Sequence, residues 1–417
     1  MSPRTDTPDS VVRDEEVRLD PPLMGDTLAI FTLAFCAVTP VKGSPLLWPV
    51  LMVMVVLQLV RNGRQLVNLW VSLPLVTYLV WMWASLLWSV EPLATLNELT
   101  MNLAYVMLGL LIAVNRTVAQ LLELLTRAAT WLLLACWAVA LAVPSFGRME
   151  GTDYAGTMRG LFIEKNMLGY FSVIALVTAL ACALGPRRDA PWLRRWGPAL
   201  VAVSTLLGST SKTALSICLI SLVVGWLLTR LAIARRPLAL PVAGYLIVVA
   251  ALIWTVVLNW TLVLTALGRD ATLTGRTKIW SVVLTVIQER PLTGFGWKAL
   301  WIEGSPTTIR IWARHFRIPF YHAHNGYLDL AAQLGIVGLL LALVFLFALL
   351  TRSVRAFLAD PSAVSGWPVV LVTVALLYNF TEVVAFTNTT WLMLVALSSI
   401  IRTTRKEELC ISPMRPA

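Results

Sequence analysis

The chain has 417 residues, of which 58% are apolar and 13% charged, with a formal net charge of +11. Soluble domains carry roughly 25% charged residues, so this composition excludes an ordinary water-soluble enzyme, a disordered chain and a disulfide scaffold. It is the composition of a polytopic membrane protein, whose Lys and Arg gather in cytoplasmic loops; the positive charge needs no nucleic acid partner.

Residues 1–25 place Arg13, Asp14, Glu15, Glu16 and Arg18 before Asp20-Pro21-Pro22. That segment lacks the basic start and short apolar run of a signal peptide and reads as an uncleaved cytoplasmic tail. About 20 apolar residues cross a bilayer as a helix, with every backbone polar group satisfied internally. Runs between charges predict spans near 26–38, 45–60, 67–88, 99–114, 128–143, 166–184, 197–207, 213–229, 238–264, 326–350, 365–381 and 387–401. The fold class is therefore all-α, a polytopic integral membrane helical bundle of about twelve transmembrane helices, ten to twelve being compatible with the short or polar-edged runs. The organisation is a tail (1–25), an N-terminal transmembrane bundle (26–266), a large loop (267–325), C-terminal transmembrane helices (326–401) and a second tail (402–417). Cys36, Cys136, Cys182 and Cys218 lie in apolar stretches and Cys410 in the tail, with no metal-ligand spacing; they read as packing residues.

Alternating from a cytoplasmic N-terminus puts Arg61, Arg64, Arg116, Arg127, Arg187, Arg188, Arg194, Arg195, Arg230, Arg235, Arg236, Arg352 and Arg355 in short cytoplasmic loops. Lys42, Arg148, Arg159, Lys165 and Lys212 fall on the other side. Thirteen against five fits the positive-inside rule with both termini cytoplasmic. Cysteines introduced at Ser305 and Ala190 are accordingly expected to label from opposite faces.

The long outward loop breaks the bias, with eight basic residues (Arg269, Arg276, Lys278, Arg290, Lys298, Arg310, Arg314, Arg317) against Asp270, Glu289 and Glu303. It also gathers all three histidines, His315, His322 and His324, by the junction with the next span. Within it, Thr274-Gly275 before KIWSVVLTVIQER and Pro291 predicts a helix over 276–289, capped by Thr274 and lying on the membrane face with Ile279, Trp280, Val283 and Ile287 toward lipid or protein. Arg276 in its first turn, beside free backbone N–H groups, suits a phosphate or pyrophosphate, or equally a lipid headgroup.

Asn325 is a natural N-cap for the following span, which leaves His324 at the water boundary. A neighbouring helix N-terminus and a basic loop favour neutral imidazole, able to accept a proton from a hydroxyl; simple interfacial packing is the bland alternative. A metal on His322-x-His324 would find only Asp329 as a nearby carboxylate, so no metal or other cofactor is expected. Further polar elements share the outward side. These are Arg159 to Asn166, the hairpin Gly208-Ser209-Thr210-Ser211-Lys212-Thr213, and Glu382, which could pair with a loop arginine. Trp297, Trp301, Trp312, Phe316, Phe320 and Tyr321 form either an interfacial belt or a platform for sugar rings.

Taken together, TGRTKIW, ERPLTGFGWKALW and HAHNGYLDLAAQLGIVGLLL resemble the signature of the O-antigen ligase and Wzy polymerase superfamily, nearest to its ExoQ-like exopolysaccharide polymerases. RGLFIEKNMLG, GSTSKTALS and NFTE are similar to it too, over roughly residues 145–385; Glu164 departs from the histidine that relatives often carry. The resemblance implies a GT-C-like bacterial inner-membrane glycosyltransferase that takes an undecaprenyl-diphosphate-linked glycan at the periplasmic face. It implies Arg276 on the pyrophosphate and His324 on the acceptor hydroxyl, with Arg159, Lys165, Asn166, Lys212, Arg269, His322, Asn325 and Glu382 as substrate-binding or positioning residues. Polymerisation, ligation to lipid A core, and, from a different class, a polysaccharide transporter or flippase remain the readings. Partners would be the acceptor glycan, membrane lipid, a chain-length regulator and export machinery. Transporters place ionisable groups at mid-membrane, whereas here they stand at span ends.

Overall fold

The computed structural model describes residues 24–38, 47–68, 71–114, 116–150, 154–234, 276–314, 319–383, 385–386 and 388–410. Residues 1–23 and 411–417 of the expected tails (1–25 and 402–417), the 238–264 span, and Lys42, Arg235, Arg236, Arg269, Thr274, Gly275, His315, Phe316 and Arg317 lie outside the described residues.

The described chain is helical, as expected for an all-α polytopic membrane protein, and contains no strand beyond one isolated bridge between Arg148 and Met158. The helices are α1 (Met24–Ala37), α2 (Leu47–Asn62), α3 (Leu73–Ala84), α4 (Pro92–Ala113), α5 (Val118–Ala142), α6 (Lys165–Leu184), α7 (Trp192–Ser209), α8 (Lys212–Ala234), α9 (Arg276–Glu289), α10 (Pro306–Arg314), α11 (Gly326–Ala359), α12 (Ala363–Tyr378) and α13 (Asn388–Cys410). Five stretches (Pro92–Ala113, Val118–Ala142, Lys165–Leu184, Lys212–Arg230 and Gly326–Ala359) are long and apolar enough to cross a membrane, and shorter apolar helices accompany them.

Local chemistry moves several expected boundaries. Proline at the start of α4 and a Thr117/Gln120 capping box before α5 begin these helices earlier than the apolar runs suggest. The 67–88 run is broken into a 3-10 turn at Gly63–Asn68, α3, and a second 3-10 turn at Ser85–Trp88.

α6 is the central helix, packed against α5, α7, α8 and α12. Its Gly169, Ser172, Ala175 and Ala179 let neighbours approach closely, the usual basis of helix association where lipid is as apolar as the partner. Buried indoles supply the polar pins: Trp367 Nε1 donates to Thr178 Oγ1 at 3.1 Å and Trp391 Nε1 to Asn102 Oδ1 at 3.2 Å. At the pole rich in arginine, Glu123 accepts from Arg187 at 2.6 Å and Arg127 at 2.8 Å, joining α5 to the end of α6. Cys36, Cys136, Cys182 and Cys218 are buried free thiols, as expected of packing residues.

The opposite pole is shaped by a break in α11. Gly335 has φ +69° and ψ −179°, so the helical hydrogen-bond ladder stops there. The freed groups are taken by the 276–314 segment and by α3: Phe295 N–H donates to Ala332 O (3.2 Å), Gly296 N–H to Gln333 O (2.9 Å) and, from α3, Trp81 Nε1 to Leu334 O (2.9 Å), while Ile336 N–H donates to Pro291 O (2.7 Å). A Cβ at Gly335 would strike Leu292 O, so glycine is required both by conformation and by space. The expected continuous span from 326 is thus a short outer segment and a membrane segment, with the loop docked at the joint.

The loop has its own core of Ile279, Val282, Val283, Val286, Phe295, Leu300, Trp301, Ile311 and Phe320. α9 therefore turns its apolar face to protein, not lipid. Trp297, Trp301 and Phe320 are buried in the same way, so they form neither a belt nor a sugar platform.

Ser305 is also buried, its hydroxyl donating to Glu91 Oε1 at 2.6 Å, which makes it a poor labelling position. Exposed Glu303 replaces it. Cysteines at Glu303 and Ala190 should react with an impermeant maleimide from opposite sides of intact cells, Glu303 from outside; labelling of both from one side would contradict the assigned topology.

Candidate active site

The site forms where the start of α11 meets the segment after α12. Asn325 caps α11, its Oδ1 accepting from Tyr327 N–H (3.0 Å) and Leu328 N–H (3.1 Å). Gly326 N–H donates to Asn379 O at 2.7 Å, and any Cβ on Gly326 would collide with the Asn379 side chain. This close approach carries Glu382 over the helix start. Arg276, the first residue of α9, and His324 reach it from two other segments.

Glu382 uses both carboxylate oxygens. Oε1 accepts from Arg276 Nη2 at 2.8 Å, and Oε2 lies 3.4 Å from His324 Nδ1. The second contact is within ion-pair range but is not an aligned hydrogen bond, since His324 Nδ1 has no hydrogen-bond partner. The side chains of Arg276, Glu382 and His324 are 11%, 17% and 29% exposed, shielded enough for charge to act strongly. Burial alone would raise the pKa of Glu382; the contact with His324 and the positive charge of Arg276 outweigh it and hold the carboxyl below its ordinary value. His322 stacks edge-on against His324 with ring centroids 3.9 Å apart, and its Nδ1 accepts the His324 backbone N–H at 3.2 Å.

Glu164, at the N-cap of α6, belongs to the same electrostatic unit. The residue as a whole is exposed, yet protein packed around its carboxyl raises the pKa, and the charge of Glu382 adds to this against His324 and Arg276. Nothing in its residue type signalled this beyond its replacing a histidine. Next to it, Lys165 is buried, with Nζ 3.8 Å from the Tyr154 ring centroid and 3.5 Å from Thr210 Oγ1. Asn166 Oδ1 accepts from Ser211 Oγ at 2.9 Å. The 159–166 and 208–213 segments are thus clasped together, with exposed Lys212 opening α8. Arg159 turns instead to the 144–147 turn, its Nε donating to Phe146 O at 2.8 Å.

One sequence expectation is corrected here. Asp329 is 1% exposed and its oxygens are taken by Trp301 Nε1, Ala323 N–H and Gln333 Nε2. The carboxylate beside the histidines is Glu382. His322, His324 and Glu382 offer ligand atoms within 4.8 Å of one another, the one such group of three among the described residues. Arg276 already neutralises that carboxylate, so a divalent ion would have to sit beside a guanidinium.

Residues 197–343 match the model of the O-antigen ligase family. The exopolysaccharide production protein ExoQ of Rhizobium meliloti (strain 1021) is 26% identical over 318 residues, covering 70% of this chain and 71% of that protein. Both matches support membership of the O-antigen ligase/Wzy family, ExoQ-like in type. That family is described as O-antigen ligase, and the relative as an exopolysaccharide production protein. The stretch matched to the O-antigen ligase family includes Arg276, His322, His324 and Asn325, and Glu382 reaches in from beyond it.

The depressed pKa of Glu382 gives a signed prediction. Its ion pair with Arg276 stabilises the fold above the ordinary glutamate value, and that contribution is lost as pH falls through the lowered folded value. Glu382→Gln should cost about 1–3 kcal/mol near neutral pH. Thermal unfolding in detergent should show the difference from wild type shrinking below the ordinary value of 4.5. A pH-independent difference would contradict the pairing.

Proposed function

We propose that this chain is a metal-independent glycosyltransferase that polymerises exopolysaccharide or O-antigen repeat units from an undecaprenyl-diphosphate-linked glycan. It would sit in the bacterial inner membrane with both termini cytoplasmic and the site at the periplasmic face. The observation that carries the reading is the Glu382 carboxylate joining Arg276, an anion-binding group, to His324, a proton-accepting group.

In this reading Arg276 engages the donor pyrophosphate, helped by Lys165, Lys212 and Arg269, while Asn166 and His322 line the glycan; Arg159, held on Phe146 O, and Asn325, the cap of α11, position their segments instead. The acceptor hydroxyl oxygen bonds to the anomeric carbon of the donor, the bond from that carbon to the pyrophosphate breaks, and the hydroxyl proton passes to His324. Glu382 Oε2 stands 3.4 Å from His324 Nδ1, close enough to tighten onto it as substrate binds and leave Nε2 for the acceptor, the arrangement by which a carboxylate orients a histidine base. The pyrophosphate leaves with its charge met by guanidinium, which supplies the stabilisation a metal would otherwise give. The acceptor is a second glycan chain, approached from the membrane surface; a chain-length regulator and export machinery would complete the system.

The ExoQ relative is an exopolysaccharide production protein, which favours polymerisation. Ligation to lipid A core uses the same donor chemistry and is favoured by the family description. Deleting the gene should remove high-molecular-weight polysaccharide and leave single lipid-linked repeats; accumulated long lipid-linked chains would instead mean ligation. No ionisable group of the site lies mid-helix, which argues against a transporter or flippase.

Arg276→Lys should weaken donor binding and slow turnover together, because an ammonium cannot reproduce the planar fork. His324→Ala should bind donor normally and lose about 10²–10⁴-fold in transfer. Donor binding and transfer are measured separately with purified variants in lipid; transfer by His324→Ala at the wild-type rate would refute its role as base.

A further inference from the structure

We infer that Asp329 is the positioning residue of this site, holding the His322-Ala323-His324 turn so that His324 meets Glu382. The inference rests on the reading of His324 as the acceptor-side base.

Asp329 stands in the first turn of α11 and is buried, so it does not touch a substrate. Burying a carboxylate is costly unless it is fully hydrogen-bonded. Here Oδ1 accepts from Trp301 Nε1 (2.8 Å) and Ala323 N–H (3.1 Å), and Oδ2 accepts from Gln333 Nε2 (2.5 Å). Gln333 in turn accepts from Lys298 N–H through Oε1 at 2.7 Å. One carboxylate therefore ties the docked loop, the histidine turn and α11 together.

Ala323 is the residue between the two histidines, and both of its backbone polar groups are held. Asp329 takes the N–H, and Trp280 Nε1 donates to the C=O at 3.0 Å. Trp280 is one helical turn beyond Arg276 on α9, so the same clamp registers the arginine helix against the histidines. The next residue, His324, has φ +48°, a left-handed conformation that a histidine seldom adopts. Such a conformation persists where its surroundings over-determine it. The fixed Ala323 peptide on one side and the Asn325 cap on the other do so. An alanine at 329 removes the stronger half of that constraint, whereas an asparagine keeps an oxygen for Trp301 and Ala323.

The test uses the full chain in lipid nanodiscs and two readouts: hydrogen exchange of the 322–325 amides, and kcat and KM with a lipid-pyrophosphate-linked glycan. Asp329→Ala should speed exchange there by about 10- to 100-fold, the loss of one charge-assisted hydrogen bond. Exchange across α9 and the membrane part of α11 should stay unchanged. Its kcat should fall by about the same factor, with donor KM within about twofold of wild type, and Asp329→Asn should recover both kcat and protection. Should Asp329→Ala not accumulate, Trp280→Phe releases the other side of Ala323 and must give the same pattern in milder form. Unchanged exchange in Asp329→Ala, or Asp329→Asn as impaired as Asp329→Ala, would overturn the anchoring. Raised exchange together with full activity of His324→Ala would overturn the function proposed for His324, and the positioning role with it, while the clamp itself stood.

Discussion

A single carboxylate shared between a guanidinium and an imidazole organises this end of the molecule. Glu382 lies 106 residues from Arg276 in sequence, and the loop that carries Arg276 and His324 is otherwise a basic segment. In a shielded setting, an unpaired Glu382 or Arg276 would be costly, so each element that brings them together is stabilised by the pairing. The close contact of Gly326 with Asn379 sets the height of Glu382 above α11. The Asn325 cap sets the start of the helix beneath His324.

The loop that carries Arg276 docks where α11 is not a regular helix. α11 is interrupted at Gly335, and its freed carbonyls receive the backbone of residues 295 and 296. In a bilayer such a break is tolerated only where protein re-satisfies the exposed groups. The docked loop does so, and in return gains a rigid floor for its own apolar core. α9, the histidine turn and α11 thereby become one unit at the pole opposite the Glu123–Arg187–Arg127 cluster. The site is thus held by backbone hydrogen bonds and buried indoles, while the membrane helices below supply its foundation through close packing.

Much of this was legible in the sequence. Hydropathy runs located most helices, Asn325 read correctly as a cap, and α9 spans the expected 276–289. Glu382 does pair with a loop arginine. Other features left no signal. The sequence around Gly335 has no proline or turn cluster, so the kink shows only when the loop donors are seen. Asp329 looked like the one carboxylate near the histidines because donors to it come from residues 301, 323 and 333, scattered on either side of it. Trp301 and Phe320 resembled a surface because a core built within a loop has no helical or strand period to betray it. Glu164 is a polar residue at a helix start, where most polar residues are caps; its nearness to Glu382 is a tertiary fact.

The central claim is that Glu382 couples Arg276 to His324, and a double-mutant cycle measures that coupling directly. Turnover is compared for Arg276→Lys, His324→Asn and the double variant, first with Glu382 present and then in a Glu382→Gln background. The account predicts a clear interaction between the two substitutions when Glu382 is present, and additive effects once its charge is removed. Additive effects in both backgrounds would contradict it.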